Sequence, residues 1–545
     1  MFSLRMIFSI FVLLSLLNPA VLALPETDAS QATIDGLLSW VKLKLPDIKD
    51  ESEDARQAVI RDAANLDVTL GHLDAALKAE LKDPNDREMI LSLAAVKYAE
   101  EGRIADADAR IFMMNNALYK IDAHIGIAKA QFKKDERRVQ QDFDNASELL
   151  FNVPNESDKF ERRKTLALAE LDTGYLPRAL TTAGGVSGDE KKAEILAEIL
   201  LHIKQIDEFK KVRSAIDFTQ DKFVRDALLQ KLASAQAKAG FIEEADANLL
   251  DLPAPQQVNA YLEIAWVAFG SKKENEVKNL LEKAEKALSA IQDDAPKSRA
   301  YGALASFQSK IGMSKQAESN FYKMKLYAMR LGRENIERAE LLVILSFGQL
   351  DSGRLLDATM NFYEARNSLY EAKDADGKKA ELFSSIASGI ARLGHSSDAK
   401  EFFSTAEKLA LQSANFERKL ELFCKIASDE MDSKLKEDSH ATLEKIVKEI
   451  HEFDDETSRP AYFQKVALIY LRFKELDRAV KLLDRVESPL KKGDLLKAIL
   501  LESVKADQIQ PSIQLAHSQA PLSVTMRGLL GVAFGILLKP AEKPA

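Results

Sequence analysis

Apolar side chains along this chain recur three and four residues apart, which puts them on one face of an α-helix, and the stretches that carry them repeat. Six small residues mark the repeat: Ala265, Ala305, Ser346, Ala387, Ala427 and Ala467, at gaps of 40, 41, 41, 40 and 40 residues. Seven residues after three of them stand Gly312, Gly353 and Gly394, and five residues further on stand Ala317, Ala358 and Ala399. The same grammar occurs at Gly102/Ala107, Gly174/Ala179 and Gly240/Ala245. Lys474/Ala479 keeps it with Lys at the turn, and the copies at Ala265 and Ala427 carry Lys272 and Lys434 there. A Gly after a helical stretch can take the left-handed conformation that ends a helix at low steric cost. Small residues on both arms then let two helices approach closely. A fixed period of this length means stacked copies of one hairpin, each burying its apolar face on the next. The pattern predicts an all-α chain, an α-solenoid of helix-turn-helix hairpins.

The second arm is amphipathic as well, with Ala358-Phe362-Ala365 and Ala399-Phe403-Ala406 at i, i+4, i+7. Residues 381–388 (ELFSSIAS) and 421–428 (ELFCKIAS) agree at six of eight positions. Small residue, turn Gly, following Ala, then Phe and Ala: this arrangement resembles the tetratricopeptide repeat family over about 89–490. Tyr98 and Tyr470 fall on the family's aromatic position in the first helix. The pitch of 40–41 exceeds the family's usual 34 or so, which implies longer helices, and the closing Pro is mostly absent.

The resemblance implies that first helices line a concave groove. Three residues before each small position the inward column would hold Leu262, Gly302, Val343, Ser384, Cys424 and Gln464. One residue after it, a second column would hold Trp266, Ser306, Phe347, Ser388, Ser428 and Leu468, with Arg299, Glu340 and Glu381 at the entrance. Trp40 and Trp266 read as packing residues. Such a groove admits an extended or helical peptide; equally, these side chains can pack against the next repeat.

Five segments follow: a signal peptide at 1–23, an acidic leader with one short helix at 24–59, irregular helical repeats at 60–255, the regular array at 256–490 and a C-terminal helical cap at 491–545. Pro253 and Pro255 mark the junction of the two arrays, and a weak copy lies around Ala197. The apolar run Gly528 to Leu538 suits a buried helix closing the array. At the N-terminus, Arg5 precedes an apolar run from Met6 to Leu17, then Val21-Leu22-Ala23. That is an export signal cut after Ala23, too short to remain as a membrane span. The mature protein is expected in the periplasm or secreted.

The formal charge is −9, and residues 24–110, with 19 acidic and 11 basic side chains, account for most of it. This balance offers nothing to nucleic acid. Cys424 is the single cysteine, so no internal disulfide forms and packing must carry the stability.

Chemistry is sparse. The seven histidines are scattered and read as exposed or capping residues. The glycines at 184, 185 and 188 lack the Lys-Ser/Thr of a phosphate loop. Ser488-Pro489-Leu490-Lys491 matches the loose Ser-x-x-Lys pattern without its companion motifs. No cofactor or metal is expected. The sequence points to an exported, non-catalytic scaffold for a protein or peptide. An envelope enzyme or glycan-binding protein on a helical solenoid, and a self-assembling structural protein, stay open as alternatives.

Overall fold

Polar caps start the helices. In a computed structural model that describes residues 26–48, 51–373, 377–453 and 455–538, Asp83, Asn116, Asn155, Asp221, Asn335 and Asn415 each accept a backbone N–H two or three residues on. Each cap supplies about 1 kcal/mol by satisfying an otherwise orphaned donor. The expected signal peptide, residues 1–23, lies outside the described residues.

Left-handed residues end the first helices. Gly102, Gly174, Gly240, Gly312, Gly353 and Gly394 have φ between 75° and 97°, and Lys272, Lys434 and Lys474 take the same position at 59° to 63°. The next N–H then reaches back five residues: Met313 donates to the Gln308 carbonyl at 2.8 Å, Arg354 to Gln349 at 2.9 Å and Leu435 to Glu430 at 2.9 Å. This closure satisfies carbonyls that the helix end would leave open.

The turns make the chain an all-α solenoid of stacked helix-turn-helix hairpins. Among the described residues, two hairpins interrupt the glycine ladder. Ala117–Gln131 and Glu136–Phe151 are joined through left-handed Lys133 (φ 65°), whereas Asp189–His202 and Ile206–Asp217 turn through extended Ile203 and Gln205.

Two compact units divide the chain. The longer comprises residues 114–446 with 102–104, and its first helices pack side by side in sequence: Ala254–Gly270 on Asp294–Lys310, that on Ile336–Asp351, then Lys378–Arg392 and Phe416–Asp432. Within this run the second helices Glu274–Ser289, Ser314–Arg330, Leu355–Glu371 and Ser396–Leu411 each also touch the next first helix. Between them lie Ala305, Ala387, Ala399 and Ala427, fully buried, with Phe321, Phe362 and Phe403 one repeat apart. Each such Phe contributes about 1.5–3 kcal/mol by leaving water. Gly348 and Gly389 make room for two of them: a Cβ at either would overlap the ring of Phe321 or Phe362 from the preceding second helix.

A buried polar clasp recurs inside the hairpins. The side-chain amide of Asn248 donates to Gln236 (2.7 Å), Asn320 to Gln308 (2.8 Å) and Asn361 to Gln349 (2.7 Å), always twelve residues apart. Thr182 and Glu170 replace the pair in one hairpin at 2.7 Å. Directional bonds at one height in these four hairpins fix the register of their arms, which apolar packing alone defines less sharply.

The second unit joins described residues from before and after the longer one, within 26–101, 105–113 and 447–538. Leu522–Leu538 packs on Pro489–Lys505, on Glu53–Thr69 and on Glu26–Lys44, the helix that includes the stretch Gly36 to Lys44. Gly531 permits the first of these approaches, since a Cβ there would strike the main chain of Lys497. Arg527, buried beside it, donates to Asp62 (3.0 Å), to the Leu490 carbonyl (2.9 Å) and to Asp494. Lys497 lies 2.8 Å from Asp62. Burial alone would raise the Asp62 carboxyl, but Lys497 and Arg527 outweigh it and hold the group below its ordinary range. No helix among the described residues is long and apolar enough to cross a membrane.

Candidate interaction surface

The entrance residues meet in a ladder of ion pairs. Arg299 lies 3.0 Å from both Glu337 and Glu340, and Lys378 lies 3.3 Å from Glu340 and 3.5 Å from Glu381. Arg418 continues it to Glu381 and Glu421. Their 40–41-residue spacing sets like positions on adjacent first helices against one another. Burial would raise Glu340, but the bond and charge of Arg299, with Lys378, bring it below its ordinary value. These pairs are partly exposed, so each is worth no more than about 1 kcal/mol. Sequence reasoning found Arg299, Glu340 and Glu381 but not their partners Lys378 and Arg418.

The inward column is mostly covered. Leu262, Gly302, Val343 and Ser384 are buried; Met324 of the paired second helix lies against Gly302, and Ser384 donates to Asp429 on the next first helix at 2.6 Å. Cys424 is half-buried. The second column is more open: Ser306, Phe347 and Ser388 are half-buried. Phe347 meets the edge of Phe362 at 5.1 Å, and the Arg392 guanidinium covers it at 5.8 Å. Gln464 and Leu468 are exposed on Arg459–Arg472, which belongs to the terminal unit.

The most open aromatic point of the column is Trp266, 39% exposed. Read as a packing residue, it does pack edge-on against Phe269 at 5.9 Å, and it also forms one wall of a depression of about 290 Å³ across three successive first helices, bounded also by Gln230, Asn259, Leu262, Ser306 and Lys310. Phe307 holds the indole edge-on at 4.9 Å, and the Lys310 ammonium stands 5.5 Å from the ring. The place of Trp266, one residue after small Ala265, was the available signal. A larger recess of about 380 Å³ around Arg338 and Tyr370 is occupied by ion pairs, Arg338–Glu364 at 3.2 Å and Arg333–Glu371 at 3.3 Å.

Other polar groups serve the fold. His124 is not exposed as expected; it is buried, with Nδ1 at 2.7 Å from Asp142, which also pairs with Arg138 at 2.6 Å. Ser488 caps a helix by accepting the Lys491 N–H, which accounts for the Ser-x-x-Lys match. Among the described residues no group of three His, Cys, Asp or Glu side chains is placed to hold a metal ion.

No family model matches the chain, and no curated protein does. Solved structures do. Yeast Tom70 aligns over 86% of this chain and 99% of its own at 16% identity, with a TM-score of 0.28. A signal-transduction ATPase with a tetratricopeptide repeat sensor from Pyrococcus horikoshii aligns over 88% and 90% at 12% identity and 0.27. The APC/C hetero-tetramer Cut9–Hcn1 aligns over 92% and 98% at 12% and 0.20. Scores this low carry nothing beyond themselves; the repeat type rests on the left-handed turn, the small contact residues and the side-by-side first helices described above. The repeats are tetratricopeptide-like. Within this tetratricopeptide-like array the first-helix face around Trp266 is the candidate surface.

Proposed function

We propose that the chain is an exported, non-catalytic scaffold that holds a protein or peptide against its first helices, in the periplasm or outside the cell. The observation that carries this reading is the depression at Trp266. An exposed indole beside Asn259, Gln230 and Lys310 offers apolar area together with donors and an acceptor for a backbone. Export rests on the first 23 residues of the sequence.

The test places a benzoylphenylalanine photocrosslinker at Ser306 of the mature chain and irradiates it in envelope extract from the source cells. A discrete crosslinked protein is expected, with its yield at least about tenfold lower in Trp266→Ala, as for a binding hot spot. No crosslinked protein, or one indifferent to that substitution, overturns the assignment. Mass spectrometry of the exported chain should find Leu24 at its N-terminus; full-length protein confined inside the cell would overturn the export reading.

A further inference from the structure

The second helix Ser314–Arg330 differs in charge from the other second helices of sixteen or more residues. It carries Lys315, Lys323, Lys325 and Arg330 against a single acid, Glu318, whereas Glu136–Phe151, Glu274–Ser289, Leu355–Glu371, Ser396–Leu411 and Lys436–Glu452 each carry more acids than bases. Glu318 is already neutralised by Arg354 at 3.0 Å. Lys315, Lys323 and Lys325 have no ion pair among the described residues. Lys323 and Arg330 are held over stacked rings, Lys323 at 5.3 Å from Tyr301 and Arg330 at 4.7 Å from Tyr327, and Arg330 also pairs with Asp294 at 3.5 Å.

The same helix exposes apolar side chains that its hairpin leaves uncovered. Tyr322, Leu326 and Met329 are 70%, 42% and 37% exposed, and their i, i+4, i+7 spacing lines them up on one face. The next second helix also exposes Leu356 and Met360. An apolar stripe flanked by one sign of charge is complementary to a helix with an apolar face and carboxylates beside it.

We propose that this outer face docks an acidic amphipathic helix of a partner protein, seated on Tyr322, Leu326 and Met329 and steered by Lys315, Lys323 and Lys325. It is a second surface, independent of the first-helix reading. A protein is favoured over an anionic membrane because the chain is acidic overall, at −9, and its other long second helices would be repelled. Exposed Tyr and Met are also the types enriched where proteins meet.

The probe is a fluorescent amphipathic peptide of Ala, Leu and Glu, roughly 18 residues long so that it spans the helix, with an Ala, Leu and Lys peptide as control. Mature protein should bind the acidic peptide, and added salt should weaken that binding as the charges are screened. Leu326→Asp and, separately, the pair Lys315→Glu and Lys323→Glu should each weaken it about tenfold or more, with the melting curve unchanged because these side chains are exposed. Absent binding, equal binding of the basic peptide, or indifference to both variants overturns the proposal. So does loss, in the same variants, of either adhesion to phosphatidylglycerol vesicles or salt-sensitive self-association, since the face would then serve a lipid surface or a second copy.

Discussion

Glu430 sits where Gln236, Gln308 and Gln349 sit in other hairpins, yet the residue twelve on is Thr442, whose single hydroxyl donates to Glu407. The carboxyl is 3% exposed, and one of its oxygens is buried without a partner. Burial pushes its pKa up to about 8, Thr442 pulls the other way, and the nearby Glu407 and Asp438 raise it further. Lys445, the nearest base, is engaged with Glu407. Between about pH 4.5 and 8 the unfolded chain releases this proton while the folded chain keeps it, so stability falls as pH rises across that window. Glu430→Gln removes the titration and restores the amide used elsewhere. Urea melts should show the variant more stable than the parent by roughly 1–3 kcal/mol at pH 8, with little difference at pH 4.5. A variant with the parent's pH slope would show that another group governs it.

At the scale of the element, the turn and the contact behind it ask different things of glycine. Gly389 lies where a Cβ would overlap the Phe362 ring, so Gly389→Ala should cost about 1–3 kcal/mol by overpacking, and adding Phe362→Leu should recover part of that loss. Lys434 instead holds a left-handed turn, and Lys434→Gly should gain up to about 1 kcal/mol in the same melts. A neutral Gly389→Ala would refute the close approach. The sequence made the turns legible because glycine is the cheap answer to a positive φ. It blurred the hairpin at Lys133, where Arg138 and not Ala stands five residues on, and the one turning at Ile203, where an extended connection replaces the left-handed residue. The site was less legible for a related reason. Spacing gave the columns, but which positions are open depends on the helices packed beside them: Gly302 is covered by Met324 and Ser384 is bonded to Asp429, while Trp266 is left accessible beside Phe307. Glu340 and Glu381 could be counted off, yet their bridging by Lys378 needs the helices side by side.

For the whole molecule, the decisive contact joins residues 465 apart, Arg527 and Asp62, and no local pattern could reveal it. The chain leaves the terminal unit after Met113 and re-enters it at Val447, so the N-terminal helices rest on packing that the last helices supply. Arrays with only nearest-neighbour contacts tolerate loss of an end repeat locally. Here, ending the chain after Asp507 should instead strip Glu53–Thr69 of its partner Leu522–Leu538, leaving Asp62 without Arg527. Hydrogen exchange should then accelerate in Glu53–Thr69 by about tenfold or more, while Ile336–Asp351, in the other unit, keeps its protection. Arg527→Met in the full chain keeps the apolar contacts and removes only the charge, so Asp62 would retain Lys497 but lose its buried guanidinium. It should destabilise the same helices by about 3 kcal/mol, toward the low end for breaking a buried ion pair. If Glu53–Thr69 stays protected in the shortened chain, the N-terminal helices stand by themselves, and the joining of the ends is a contact without energetic weight.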